Sequence, residues 1–329
     1  AQLQQVQDGE GRGTGLFLSS AGVNATTADS FTASVDGTSV TGAVPRLISD
    51  GFGDYLSVKD FGAEGDGVTD DTAAIQAALD ACDANGGGVV YVPWPTETYL
   101  ITTTLLIPNH TKLVGLGAVN CKEYADSEND GVQFTYTGTD ACFALKYGES
   151  LTQRCRGVTI ENIGVSILED GATGFRLRRC RDVYMLGCSV NMNTDNQIGF
   201  HFKGNKDGAS WGGVFDCNFF RLSSYGQETY TGCVHYKLEG SYNDGQCNAN
   251  YFYGIRGGGC GVGLEIGPSV NNAFFGIEFE ALTDDYIHCL SDAQYNTIYS
   301  AYLGDLPVGW SSKVFNCEPG ADCLLYTSD

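Results

Sequence analysis

The residues with the most chemical potential in this 329-residue sequence alternate along short segments. In GFRLR, GFHFK, CVHYKLE, GVGLEI and YIHCL the apolar residues are separated by Arg176 and Arg178, His201 and Lys203, His235 and Lys237, Gly263 and Glu265, and His288. Successive side chains of a strand point to opposite faces, so as strands these segments put all of these residues on one outer surface. Stacked about 4.8 Å apart, they form a cationic ladder suited to a negatively charged polysaccharide. The structural alternative is that long cationic stems cover the sheet or pair with carboxylates.

Two carboxylate pairs offer acid–base chemistry. Glu278 and Glu280 alternate with Ile277 and Phe279, so both project outward from one strand with origins roughly 7 Å apart. Glu239 and Glu265 lie in the cationic ladder itself, at diagonally neighbouring positions. Either pair fits glycoside hydrolysis, with one group as acid and the other as base or nucleophile. Arg256 aligns beside Glu278 and holds it ionised, which also fits an ordinary surface ion pair. Trp211, Tyr225, Tyr230 and Tyr242 fall in insertions 205–213, 223–232 and 240–250, where aromatic faces suit sugar stacking or plain loop anchoring.

These side chains need a repeating scaffold. The segments VTIENIGV, VYMLGCSV, VFDCNFF, YFYGIRG, FFGIEFE and IYSAYL place Asn162, Gly187, Asp216, Gly254, Gly276 and Ser300 in one turn column. Asn, Gly and Asp tolerate the left-handed conformation such a turn requires. A second column places Phe175, Phe200, Val234, Val262 and Ile287 inward, at intervals of 25, 34, 28 and 25 residues. Units of about 25 residues with three strands each describe a parallel β-helix, in which each coil is stable only when stacked on its neighbours. The same alternation buries Cys188, Cys217 and Cys289.

Upstream, DDTAAIQAALDAC has helical periodicity, with Thr69 or Asp70 as N-cap and Ala74, Ile75, Ala78, Leu79 and Cys82 on one face. Gly86, Gly87 and Gly88 stop this helix before the strand Val89 to Val92. The run SVKDFGAEGDGVTDDTAAIQAAL, followed by GGGVVYVP, TYLITTTLLIP and TKLVGLGA, resembles the opening of the pectate-lyase superfamily as found in phage tailspikes. The resemblance covers roughly residues 57–118 and implies an all-β, right-handed parallel β-helix closed by a capping helix that carries no catalytic residue.

Composition removes other classes. A formal charge of −22 argues against nucleic acid and anionic membranes as partners. No apolar run reaches the roughly 20 residues of a membrane span. The 13 cysteines, without a CxxC pair, read as mostly free, buried thiols. The Gly-rich stretches lack a strand-to-helix phosphate cradle. Asn193, Thr194 and Asp195 resemble the first motif of polygalacturonase-type glycosidases, with Asp216 and His235 following at coil-like spacing. The other motifs of that family do not follow in order, nor does an aspartate cluster for the calcium of pectate lyases.

The expected organisation is an attachment arm over 1–50, the opening module over 51–118, the β-helix over 119–310 and a short C-terminal segment over 311–329. The resemblance implies a homotrimeric tailspike of a phage virion, joined to a tail or baseplate protein through the arm, which recognises and degrades host surface polysaccharide; the sequence singles out no cofactor and no metal ligands, and leaves metal binding open. Two other readings stay open: a non-enzymatic adhesin or structural tail component, and a secreted polysaccharide-degrading enzyme.

Overall fold

The computed structural model describes residues 55–116, 133–147, 153–204, 212–240, 245–304 and 314–326, and the backbone of four short strands in 1–54. The chain divides at residue 54 into two units. In the first, Gln4–Gln7 pairs antiparallel with Gly13–Leu18, and Ser34–Val35 with Arg46–Leu47.

The second unit is a parallel β-helix. One coil runs through Cys155–Arg156, Thr159–Glu161, Gly164–Ile167 and Thr173–Arg178, and each strand pairs in parallel with its counterpart one coil later. The coil thus has four strand positions where the sequence pattern suggests three, because a two-residue strand such as Cys155–Arg156 is too short to show alternation. The fourth position builds an eight-stranded sheet, and the others merge into a 21-stranded sheet.

The extra strand adds a second turn column and corrects the first. Asn162, Gly187, Gly254, Gly276 and Ser300 all have positive φ, as expected. Asp216 does too, but it follows the two-residue strand Val214–Phe215, and Arg221 takes its expected place at φ 51°. Arginine carries no left-handed signature, so the pattern settled on the nearer Asp.

Along the eight-stranded sheet, Phe175, Phe200, Tyr236, Leu264 and Ile287 stand opposite one another in successive coils. The expected alignment through Val234 and Val262 is therefore displaced by two residues. Parity survives the displacement, so Phe175, Leu177, Phe200, Phe202, Tyr236, Leu264 and Ile287 are all buried. Phe143, Phe175, Phe200 and Tyr236 stack at 5.3 Å centroid spacing, filling the interior with one aromatic column.

A polar column holds the later coils. In three consecutive coils the left-handed residue, Ala249, Asn271 or Tyr295, is followed by a buried asparagine, Asn250, Asn272 or Asn296. Asn250 Nδ2 donates to Asn272 Oδ1 at 2.9 Å, and Asn272 Nδ2 donates to Asn296 Oδ1 at 2.8 Å. The interior turn is thereby paired where side chains would otherwise strand polar groups.

The helix α1, Thr72–Ala84, buries Ile75, Ala78, Leu79 and Cys82 as expected, while Ala74 is half-buried. Its N-cap is Asp71, whose carboxylate turns away to accept from the backbone of Glu64 and Gly65 at 2.6 and 3.1 Å. Burial raises the Asp71 pKa, and those two hydrogen bonds oppose the rise. The twelve described cysteines are free thiols, ten of them buried.

Candidate functional site

The two-residue displacement changes the outer face. Arg176 stands opposite His201, His201 opposite Lys237, Lys237 opposite Glu265, and Glu265 opposite His288. In the neighbouring row Arg178 stands opposite Lys203 and Lys203 opposite Glu239. Glu239 thus lies in the ladder as expected, in line with Arg178 and Lys203.

Carboxylates accompany most of the ladder. His201 Nε2 lies 2.9 Å from Glu239 Oε2, with Lys203 Nζ 3.5 Å from the other oxygen. Lys237 Nζ is 2.9 Å from Glu265 Oε1. Arg176 is gripped by both carboxylate oxygens of Asp140. His288 lies between Asp285, 3.8 Å from Nδ1, and Glu318, 3.7 Å from Nε2. The surface is a mosaic of paired charges, which offers sugar hydroxyls donors and acceptors side by side.

Electrostatics separate the candidate carboxylates. The hydrogen bond from His201 holds Glu239 down at about 2, with the nearby lysines adding to the effect. Burial lowers the His201 pKa, and Glu239 opposes that shift. Glu239 is therefore ionised at neutral pH, which suits a base, a nucleophile or a hydrogen-bond acceptor and not a general acid.

Glu278 and Glu280 alternate outward along Ala273–Glu280 as expected. They lie in the 21-stranded sheet, away from the ladder strands that carry Glu239 and Glu265. Arg256 stands opposite Glu278 and pairs with it at 2.9 Å. Glu280 stands opposite Gly258.

His235 departs from its expected outer position. It is fully buried, with Nε2 donating to the Cys260 carbonyl at 2.7 Å. In the two preceding coils and the following one its place holds Gly174, Gly199 and Gly263. The neighbouring interior column reads Val190, Ser224, Gly257, Phe279, and the imidazole fills the space that Gly257 leaves; a Cβ on Gly257 would lie 3.1 Å from His235 Cγ. Volume compensation between two strands thus decides which way His235 points.

Trp211 and Tyr242 lie outside the described residues. Tyr230 packs half-buried against the core, and Tyr225 belongs to the strand Ser223–Tyr225, so segment 223–232 is only partly an insertion. The polygalacturonase-like constellation does not assemble. Asn193 Nδ2 donates to Ser166 Oγ and to the Ile167 carbonyl, Asp195 accepts from the Thr231 backbone, Asp216 pairs with Arg181, and His235 is interior.

Sequence reasoning passed over a cleft of about 500 Å³ lined by Asp66, Gly67, Glu97, Thr98, Thr135, Ser166, Asn191 and Asn193. Its residues come from segments up to 127 positions apart and are individually unremarkable surface types. Only the pattern of outward Thr, Ser and Asn in successive coils could have flagged it.

Comparison with known proteins gives partial matches. Mannuronan C5-epimerase AlgE1 of Azotobacter vinelandii is 75% identical over 40 residues, 12% of this chain and 3% of that protein. The pre-neck appendage protein of Bacillus phage phi29 is 31% identical over 136 residues, 40% of this chain and 15% of that protein. Among solved structures, ORF18 of Geobacillus virus E2 shares 19% identity at a TM-score of 0.42, covering 85% of this chain and 62% of its own. This chain spans only a small part of the first two proteins and under two thirds of the third. Residues 55–231, more than half of the chain, match the family described as rhamnogalacturonase A/epimerase, pectate lyase-like, and the chain belongs to that family.

Proposed function

We propose that this chain is a β-helical component of a bacteriophage tail that binds host surface polysaccharide along the outer face of the eight-stranded sheet. The observation that carries the polysaccharide reading is the adjacency of His201–Glu239–Lys203 and Lys237–Glu265 on neighbouring strands. Paired charges of this kind accept from and donate to hydroxyl groups, and an ammonium with only one carboxylate partner keeps donors for a sugar acid. The virion reading draws on the similarity to the phi29 pre-neck appendage protein. Attachment through residues 1–50 and assembly as a homotrimer complete it, and a trimeric mass of the purified protein in light scattering is the expected result.

The ladder favours binding over cleavage, since Glu239 is kept ionised and Glu265 is paired to an ammonium. A depolymerase reading is favoured instead by Glu278 and Glu280, which share one exposed strand face and differ in surroundings. Incubation with host capsule and lipopolysaccharide decides between them. Binding without product supports the adhesin, new reducing ends support a hydrolase, and added ultraviolet absorbance supports a lyase.

Glu239→Gln is expected to weaken polysaccharide binding by at least about tenfold, the loss of one charge-assisted hydrogen bond. Titration calorimetry with the bound capsule fraction checks this, and unchanged affinity would remove the ladder from the site.

A further inference from the structure

The cleft beside the α1 entry loop has a chemistry opposite to the charged ladder. Its floor is a row of outward side chains from successive coils, with Thr135 opposite Ser166 and Ser166 opposite Asn191. Thr135 Oγ1 donates to Thr98 Oγ1 at 3.0 Å, and Asn193 Nδ2 donates to Ser166 Oγ at 2.9 Å. Those bonds leave the hydroxyl protons of Thr98 and Ser166 for a ligand. The Asn191 amide and the Glu97 carboxylate have no partner among the described residues. Asp66, by contrast, is committed to its own turn, accepting from the backbone of Val68 and Thr69 and from the Thr69 hydroxyl.

The unpartnered groups thus include three donors, from Thr98, Ser166 and Asn191, and two acceptors, from Asn191 and Glu97. A polyol supplies hydroxyls that donate and accept at once, and so can satisfy such a mixture. No Lys, Arg or His lines the cleft, while two carboxylates do, so an anion is repelled. The row continues from Asn191 to Tyr225, whose ring lies beside Gly258; a Cβ there would be 3.3 Å from Cε1. This half-buried aromatic stands one coil beyond the residues that line the cleft, where it offers an apolar surface to the C–H face of the next pyranose of a bound chain.

From this juxtaposition we infer that the cleft binds an uncharged saccharide unit, a second glycan contact distinct from the ladder on the eight-stranded sheet. The inference rests on the polysaccharide-binding reading and specifies the sugar class that one part of the surface takes. A heteropolysaccharide with neutral and acidic residues would engage both surfaces.

The test is calorimetric titration of the full chain with three probes: neutral oligosaccharides from dextran, mannan and galactan; polygalacturonate oligosaccharides; and calcium chloride alone. The expected result is binding of a neutral oligosaccharide that Asn191→Ala weakens by at least about tenfold, as loss of the amide's hydrogen bonds implies. Glu97→Gln weakens it too, while Asn191→Ala leaves the melting temperature and polygalacturonate binding unchanged. Absence of neutral-sugar binding, or neutral binding indifferent to Asn191→Ala, overturns the inference. So does calcium binding that Glu97→Gln abolishes, which would make the cleft a cation site. If polygalacturonate binding persists and is lost in Lys237→Ala, the ladder reading stands although the cleft reading has failed; if no glycan binds, both fall.

Discussion

Replacing Asn272 by leucine is expected to lower stability by about 3–5 kcal/mol, although the two side chains are similar in size. Asn272 Oδ1 accepts from both the backbone and the side-chain nitrogen of Asn250, at 3.1 and 2.9 Å. Its Nδ2 donates to the Cys247 carbonyl at 3.0 Å and to Asn296 Oδ1 at 2.8 Å. Leucine removes all four bonds and strands two buried donors and at least one acceptor, each costing about 1–3 kcal/mol. Burying more carbon recovers only part of that loss. The shift in the urea midpoint at unchanged slope measures it; a change below about 1 kcal/mol would mean that the asparagine column is incidental to the later coils.

Acidification is expected to remove about 3 kcal/mol of stability through His235 alone. Burial pushes its pKa from 6.5 to about 4, while the carbonyls of Cys260 and Ser224 oppose the shift. The folded value lies below the unfolded one, so between them the unfolded chain binds the extra proton. The contribution is therefore complete above about 6.5 and is lost as pH falls toward about 4. His201 is shifted in the same direction, by burial against the pull of Glu239, and adds to the slope. Glu239 acts lower, its contribution present above about 4.5 and lost toward 2.

Urea titrations of wild type, His235→Leu and His201→Gln at several pH values separate these contributions. His235→Leu should flatten most of the dependence between pH 6.5 and 4. An unaltered slope would show that the imidazole titrates as if exposed.

Much of the fold was legible because its signals are local. The opening motif identifies the architecture within residues 57–118, and alternation assigns Phe175, Phe200 and Tyr236 to the interior from their immediate neighbours. Left-handed turn residues mark the coil corners where they are Asn, Asp or Gly, whereas Arg221, Ala249, Tyr295 and Ser300 take the same conformation with no sign of it in their type. The short strands beginning Cys155, Cys180 and Val214 escaped because two residues carry no period. The asparagine column was visible as Asn250, Asn272 and Asn296, each ahead of an apolar run, but its meaning depends on stacking.

By itself the sequence determined the class of fold, the inward and outward parity of its strands and the supply of carboxylates, cations and aromatics on the outside. The tertiary structure decided which of these meet. Register between coils depends on the lengths of intervening insertions, so a displacement of two residues keeps parity while bringing Glu239 beside Lys203 and Lys237 opposite His201. The burial of His235 depends on space left by Gly257, 22 positions away, and the cleft on contacts between coils. Alternation and turn propensity act over a few residues; volume, charge pairing and concavity are properties of residues brought together by stacking, and no local pattern encodes them.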